Sequence, residues 1–167
     1  MIDTLLGTVD KKAELEAGWD GHTVRISYTK YHTLSGVLLD LLRPVDQASD
    51  VSSQFTKAEA VFPALDIIRR AGPPDEHRDE LCRLTEAYLS SHIWLLREMA
   101  ARTLCSFFIR GNWVAEISRL LEQARNSTNG LHGALLTLKF ILQRKIELRQ
   151  DLADGKLPGW NRMILRD

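Results

Sequence analysis

The sequence predicts an all-α protein, a right-handed α-solenoid of antiparallel helix pairs, and three observations predict it. Apolar residues recur at helical spacing in one segment after another. Clusters of Gly, Pro, Asn and Ser separate those segments, and no stretch shows the pattern of credibly paired strands. The second helices of successive pairs begin near residues 55, 93 and 130, steps of 38 and 37 residues that fall in the range of helical-pair repeats. A single pair cannot bury its apolar face, so pairs stack on their neighbours. An irregular six-helix bundle is the competing arrangement of the same helices.

The elements follow in order. Residues 1–28 form a poorly defined N-terminal segment: Asp3 to Leu15 suits a weak helix, Gly18-Trp19-Asp20-Gly21 breaks it, and Thr23 to Tyr28 reads equally well as extended chain. Repeats then occupy residues 29–150. Leu34, Val37, Leu38, Leu41 and Leu42 make one face of a helix that Pro44 stops. A second helix spans about Thr56 to Arg70 with Val61, Phe62, Leu65 and Ile68 inward, and Ala71-Gly72-Pro73-Pro74 terminates it. Pro63 implies a kink, or a start near that residue. Asp75 is placed to cap the helix Arg78 to Leu89, and Ser91 to cap the strongest helix, Ile93 to Ile109. Gly111-Asn112 ends that helix, and Trp113 to Ala124 forms a short amphipathic one. After the turn residues Asn126 to Gly130, a long helix runs from about Leu131 to Leu148 through Leu135, Leu138, Ile141, Leu142 and Ile146. Residues 151–167 add a short helix or an ordered tail.

Composition narrows the function. With 167 residues, 44% hydrophobic, and 22 basic residues against 22 acidic ones, the chain is too apolar and too neutral for disorder. Zero formal charge also excludes the overall basic excess of a polybasic nucleic-acid binder, while leaving local patches open. Two cysteines, Cys82 and Cys105, make no disulfide framework and belong to no Cys-x-x-Cys pair, which suits a reduced cytoplasmic protein. No leader pattern or membrane-length apolar run is present.

Catalytic signatures are missing. There is no Gly-x-Gly-x-x-Gly, no phosphate-binding Walker loop and no His-Glu-x-x-His, so neither a cofactor nor a catalytic residue is assigned. His77-Arg78-Asp79 spells the start of a kinase catalytic loop, but Leu84 stands where that loop needs Asn, and the acidic residues suit a helix N-terminus. The five histidines lack metal-ligand spacing, and Cys105, among Ala101, Leu104 and Phe108, reads as a core residue. Many Arg and Lys residues between Ala60 and Gln150 lie near helix ends. A solenoid would align some of them along a phosphate backbone, whereas a solvated face laced with Glu98, Glu116, Glu122 and Glu147 explains them without RNA.

Three stretches carry a family resemblance: Val61 to Pro74, Ile93 to Leu104 (Ile-Trp-Leu-Leu-Arg-Glu-Met-Ala-Ala-Arg-Thr-Leu), and Asn129 to Leu136 with its Asn-x-x-His-Gly element. The second also resembles the second helix of a HEAT repeat, where small residues admit a neighbouring helix. In this order they resemble the helical-repeat region of the thyroid-adenoma-associated (THADA) family, especially its fungal members, over about residues 30 to 150. The resemblance implies a HEAT/armadillo-like fold and a non-catalytic scaffold, the partner of a tRNA ribose 2′-O-methyltransferase that acts on the anticodon loop. It implies that methyltransferase's catalytic subunit as partner, with tRNA beside it. The Arg-Arg-Ser-Ala-Gly-Leu-Pro motif associated with the family's function is absent here. A helical-repeat adaptor for protein partners, with no RNA role, is the alternative. Arg69, Arg70, Arg102, Asn129 and His132 are the candidates for RNA or partner contact. Their structural readings are dipole complementarity for Arg69-Arg70, helix capping for Asn129 and a first-turn position for His132. Gly133 then marks a close helix approach, Trp94 packs in the core or between repeats, and Arg97 bonds a neighbouring loop or helix end.

Overall fold

A computed structural model describes Tyr28, residues 31–43 and residues 51–154, without the side chains of 51–58 and 152. The readings for the rest of residues 1–28 and for 155–167 lie outside the described residues. Among the described residues, six α-helices follow one another: α1 Leu34–Leu42, α2 Val51–Ala71, α3 Arg78–Ala87, α4 Trp94–Phe108, α5 Trp113–Gln123 and α6 Thr128–Ala153, with a 3-10 turn at Tyr88–Ser90 between α3 and α4. The described residues contain no strand.

The pairs α1–α2, α3–α4 and α5–α6 each pack together, α4 lies between α2 and α6, and α1 also packs on α3. Hydrogen bonds show how α4 and α6 are aligned. Arg97 meets His132 and Cys105 meets the Phe140 carbonyl, both at a separation of 35 residues, so α4 and α6 run parallel. Across the other side of α4, the Thr103 hydroxyl lies 3.0 Å from the Leu65 carbonyl at a separation of 38. These registers keep close to the step the sequence predicts. The helix starts do not: at 51, 94 and 128 they are 43 and then 34 residues apart. The difference arises because α2 begins at Val51 rather than near Thr56, and α6 at Thr128 rather than Leu131.

Pro63 sits inside α2 without ending it, so the start near Pro63 does not occur. Its missing N–H leaves one backbone carbonyl of the preceding turn without the usual helical donor. Gly72, at φ 72°, closes α2 in the left-handed conformation that the Gly-Pro-Pro terminator predicts. Two caps differ from expectation. α3 starts at Arg78 after His77, whose side chain makes no capping bond, so Asp75 is not its cap. Ser127, not Asn129, caps α6: its Oγ accepts from Gly130 N at 3.0 Å and its carbonyl accepts from Leu131 N at 2.8 Å. Asn112 Oδ1 caps α5 by accepting from Ala115 N, while Ser91 Oγ accepts from Ile93 N ahead of α4.

Leu38, Leu42, Leu65, Ile68, Leu81, Leu104 and Ile141 have no exposed surface and form one core across the pairs. Removing one such leucine side chain to Ala costs about 2–5 kcal/mol. Several residues assigned inward are instead on the surface: Val37, Leu135, Leu142 and Ile146, together with Trp94 at 51% exposure. In α6 the face that meets the other helices is built from Ala134, Thr137, Ile141, Lys145 and Leu148. Spacing alone did not reveal this, because apolar residues cover more of the α6 circumference than one contact face can bury.

Candidate functional site

The Asn129–His132 turn meets α4 at a polar node. Arg97 is buried to 9% exposure, sends Nη1 to the Ser91 carbonyl at 2.6 Å and donates Nε–H to His132 Nδ1 at 3.3 Å. A buried guanidinium must satisfy its fixed fork of donors, and this one joins the loop before α4 to the second turn of α6. Arg97 therefore bonds a loop and a helix, as the sequence predicts, and His132 is engaged structurally. One residue further, a Cβ on Gly133 would lie 2.5 Å from the Leu89 carbonyl oxygen, which shows the close approach that the glycine permits. Asn129 is half-buried, and among the described residues its side chain makes no hydrogen bond.

The basic candidates are tied down as well. Arg69 and Arg70, at the end of α2, share Asp66: Arg69 Nη2 is 2.8 Å from Oδ1 and Arg70 Nε is 2.9 Å from Oδ2. Arg102 bonds Glu98 at 2.7 Å and lays its guanidinium 4.3 Å from the centroid of the Phe140 ring. The five candidates thus lie on three helices. His132 reaches across to another helix by a side-chain hydrogen bond, and Arg102 reaches α6 through its ring contact.

A cleft of about 330 Å³ between α3, α5 and the end of α4 is lined by Arg78, Cys82, Arg83, Glu86, Glu116 and Arg119 among others, a group that the sequence reading missed. Arg119 joins α5 to α3 by bonds of 2.5 and 3.1 Å to Glu86, and also bonds Glu116. The bond to Glu86 holds the guanidinium above its ordinary pKa, and burial opposes that shift. Burial pushes the Cys82 thiol up, with Glu86 adding to it, and pushes Cys105 up to about 12. Both cysteines are therefore protonated and poor nucleophiles at neutral pH. The only sequence signal for the Glu86–Arg119 pair was its separation of 33 residues, close to one repeat. Among the described residues, no group of three His, Cys, Asp or Glu side chains could hold a metal ion, and no helix is long and apolar enough to cross a membrane.

Paired helices stacked on one another, with arginines serving as ties between neighbouring helices, define a helical-repeat protein. The chain belongs to the family described as Trm732, C-terminal TPR repeats, whose model matches residues 1–141. All three stretches that resemble the thyroid-adenoma-associated family lie inside that match. The family is one of non-catalytic auxiliary subunits in tRNA modification. Its repeats are of TPR rather than HEAT/armadillo type, and the 34-residue step from α4 to α6 is the TPR length. No curated protein and no solved structure matches the chain significantly.

Proposed function

We propose that this chain is a right-handed solenoid segment of a non-catalytic cytoplasmic subunit that supports ribose 2′-O-methylation of the tRNA anticodon loop by a partner methyltransferase. The family match over residues 1–141 carries this reading. The chain contributes shape and surface, and the partner supplies the cofactor site and the reaction. The repeats span about residues 29–150, with an N-terminal segment at 1–28 before them and a tail that begins once α6 ends at Ala153. Arg102 is the best placed of the phosphate candidates, because its side chain is 47% exposed on a helix fixed on two sides. Co-purification tests the proposal: the chain should recover the methyltransferase together with tRNA, and loss of the gene should remove the anticodon-loop methyl group. Retained methylation would refute it.

A second reading, an adaptor for protein partners without an RNA role, is favoured by one observation. Arg69 and Arg70 share the Asp66 carboxylate and Arg102 is paired with Glu98, each on its own helix, while Trp94, Leu95 and Val114 are more than half exposed. Recovery of proteins alone, with no tRNA, supports it.

A further inference from the structure

Along the outer side of α6, Leu131, Leu135, Leu142 and Ile146 are between 40% and 56% exposed, and Leu138 lies between them half-buried. Their spacing puts all five on one face about 22 Å long, at 1.5 Å per residue. The stretch from Leu135 to Ile146 borders a shallow apolar depression edged by Lys139, Gln143 and Glu147. The repeat itself shows what such a face does. Counting back by the 34-residue step from α4 to α6 places Leu135 at Ala101, Leu138 at Leu104 and Leu142 at Phe108, all buried, and Cys105 beside them is a residue through which α4 packs on α6. On α6 Leu131, Leu135, Leu142 and Ile146 of the equivalent face stay about half exposed among the described residues, so this face continues an established packing surface.

We propose that this face receives the chain's own residues Leu157 to Leu165, with Trp160 seated on Ile146 and Leu142, closing the apolar edge of the helical stack. The segment has the composition for it: Leu157, Trp160, Met163, Ile164 and Leu165 supply apolar groups, and Lys156 and Arg162 supply charge opposite to that of Glu147. Gly155, directly after the last described residue, and Pro158-Gly159 supply turn residues for a reversal. The reach is sufficient. Six residues from Asp154 to Trp160 extend up to about 20 Å, whereas Ile146 lies about 12 Å back along the helix axis and Leu142 about 18 Å. A short tether also gives this segment an effective concentration in the millimolar range, ahead of any partner in solution.

The test is a double-mutant cycle in the full chain, read by melting temperature and sedimentation. Trp160→Ala should lower Tm by about 4–8 °C, and the same change in an Ile146→Ser background should lower it by less than half as much. Equal shifts in both backgrounds overturn the proposal. An unchanged Tm in Trp160→Ala also overturns it. A dimer that Ile146→Ser converts to monomer overturns it in favour of a second copy as occupant.

Discussion

Gly133→Ala and Gly36→Ala are the same chemical change on two helices, and the structure gives them opposite signs. At Gly36, in α1, a Cβ meets nothing within 4 Å, so alanine contributes only its better helix propensity, worth up to about 1 kcal/mol. At Gly133 the new Cβ would lie 2.5 Å from the Leu89 carbonyl oxygen and 2.8 Å from the Leu89 Cβ. The nearest atom belongs to the backbone of the 3-10 turn, so no side-chain rotation relieves the overlap. Relief requires α6 and the turn to separate, and overpacking of this kind costs about 1–3 kcal/mol. The propensity gain offsets part of that. The net expectation is a loss of about 1–2 kcal/mol for Gly133→Ala, hence a fall of about 2–8 °C in Tm, against a rise of up to about 4 °C for Gly36→Ala. Thermal unfolding followed by far-ultraviolet circular dichroism, with urea titration for the free energies, measures both. A Gly133→Ala protein that melts at or above Gly36→Ala would refute the close approach of α6 to the Leu89 turn.

Other expectations concern the polar ties and the thiols. Arg97→Met should destabilise the chain by about 2–3 kcal/mol in urea titration, since two bonds to a charged donor disappear and their acceptors stay half-buried; Arg97→Lys should recover little, because an ammonium cannot reproduce the fork. Arg102→Glu should weaken binding to tRNA or partner and also lower Tm by a few degrees; the loss of stability follows because it breaks the Glu98 pair, sets two carboxylates one turn apart and removes the cation from Phe140, together about 1 kcal/mol. Its affinity for tRNA or partner is therefore best compared with Arg102→Gln at a temperature where both are folded. Cys105 has its folded pKa raised from 9.0 to about 12, so the stability tied to its protonated form is complete below pH 9.0 and is lost as pH rises toward 12. Stability should fall in that window by up to about 1.4 kcal/mol per pH unit for this one group. Cys105→Ala should flatten the slope, and an identical slope in the variant would count against the assignment. At pH 8 both cysteines should react with a disulfide reagent far more slowly in the folded chain than after unfolding.

How much was legible in the sequence differs from one element to the next. The helical character of the chain and the stop at Ala71-Gly72-Pro73-Pro74 were readable, and the repeat step roughly so, because they depend on local periodicity and on backbone constraints that Gly and Pro impose wherever they stand. Arg97 as a tie and Gly133 as a point of close approach were also legible, through the order of motifs rather than through any single one. The cap of α6 was misplaced, since Asn126, Ser127 and Asn129 are all capable caps and only the path of the chain selects Ser127. The outer face of α6 was misread as core for a related reason: Leu135, Leu142 and Ile146 are as apolar as Ile141, and which of them is buried depends on where α4 lies.

By itself, then, the sequence determined the class of fold, the approximate repeat length and the family, because hydrophobic spacing and breaker residues act within a few positions along the chain. Tertiary structure alone decided that Arg69, Arg70 and Arg102 are held by carboxylates, that His132 accepts a bond from Arg97, and that a leucine stripe on α6 faces outward. Those facts depend on pairings on a helix surface or across some 35 residues of chain, and on the rotation of one helix against the next, which the energies of many side chains set together.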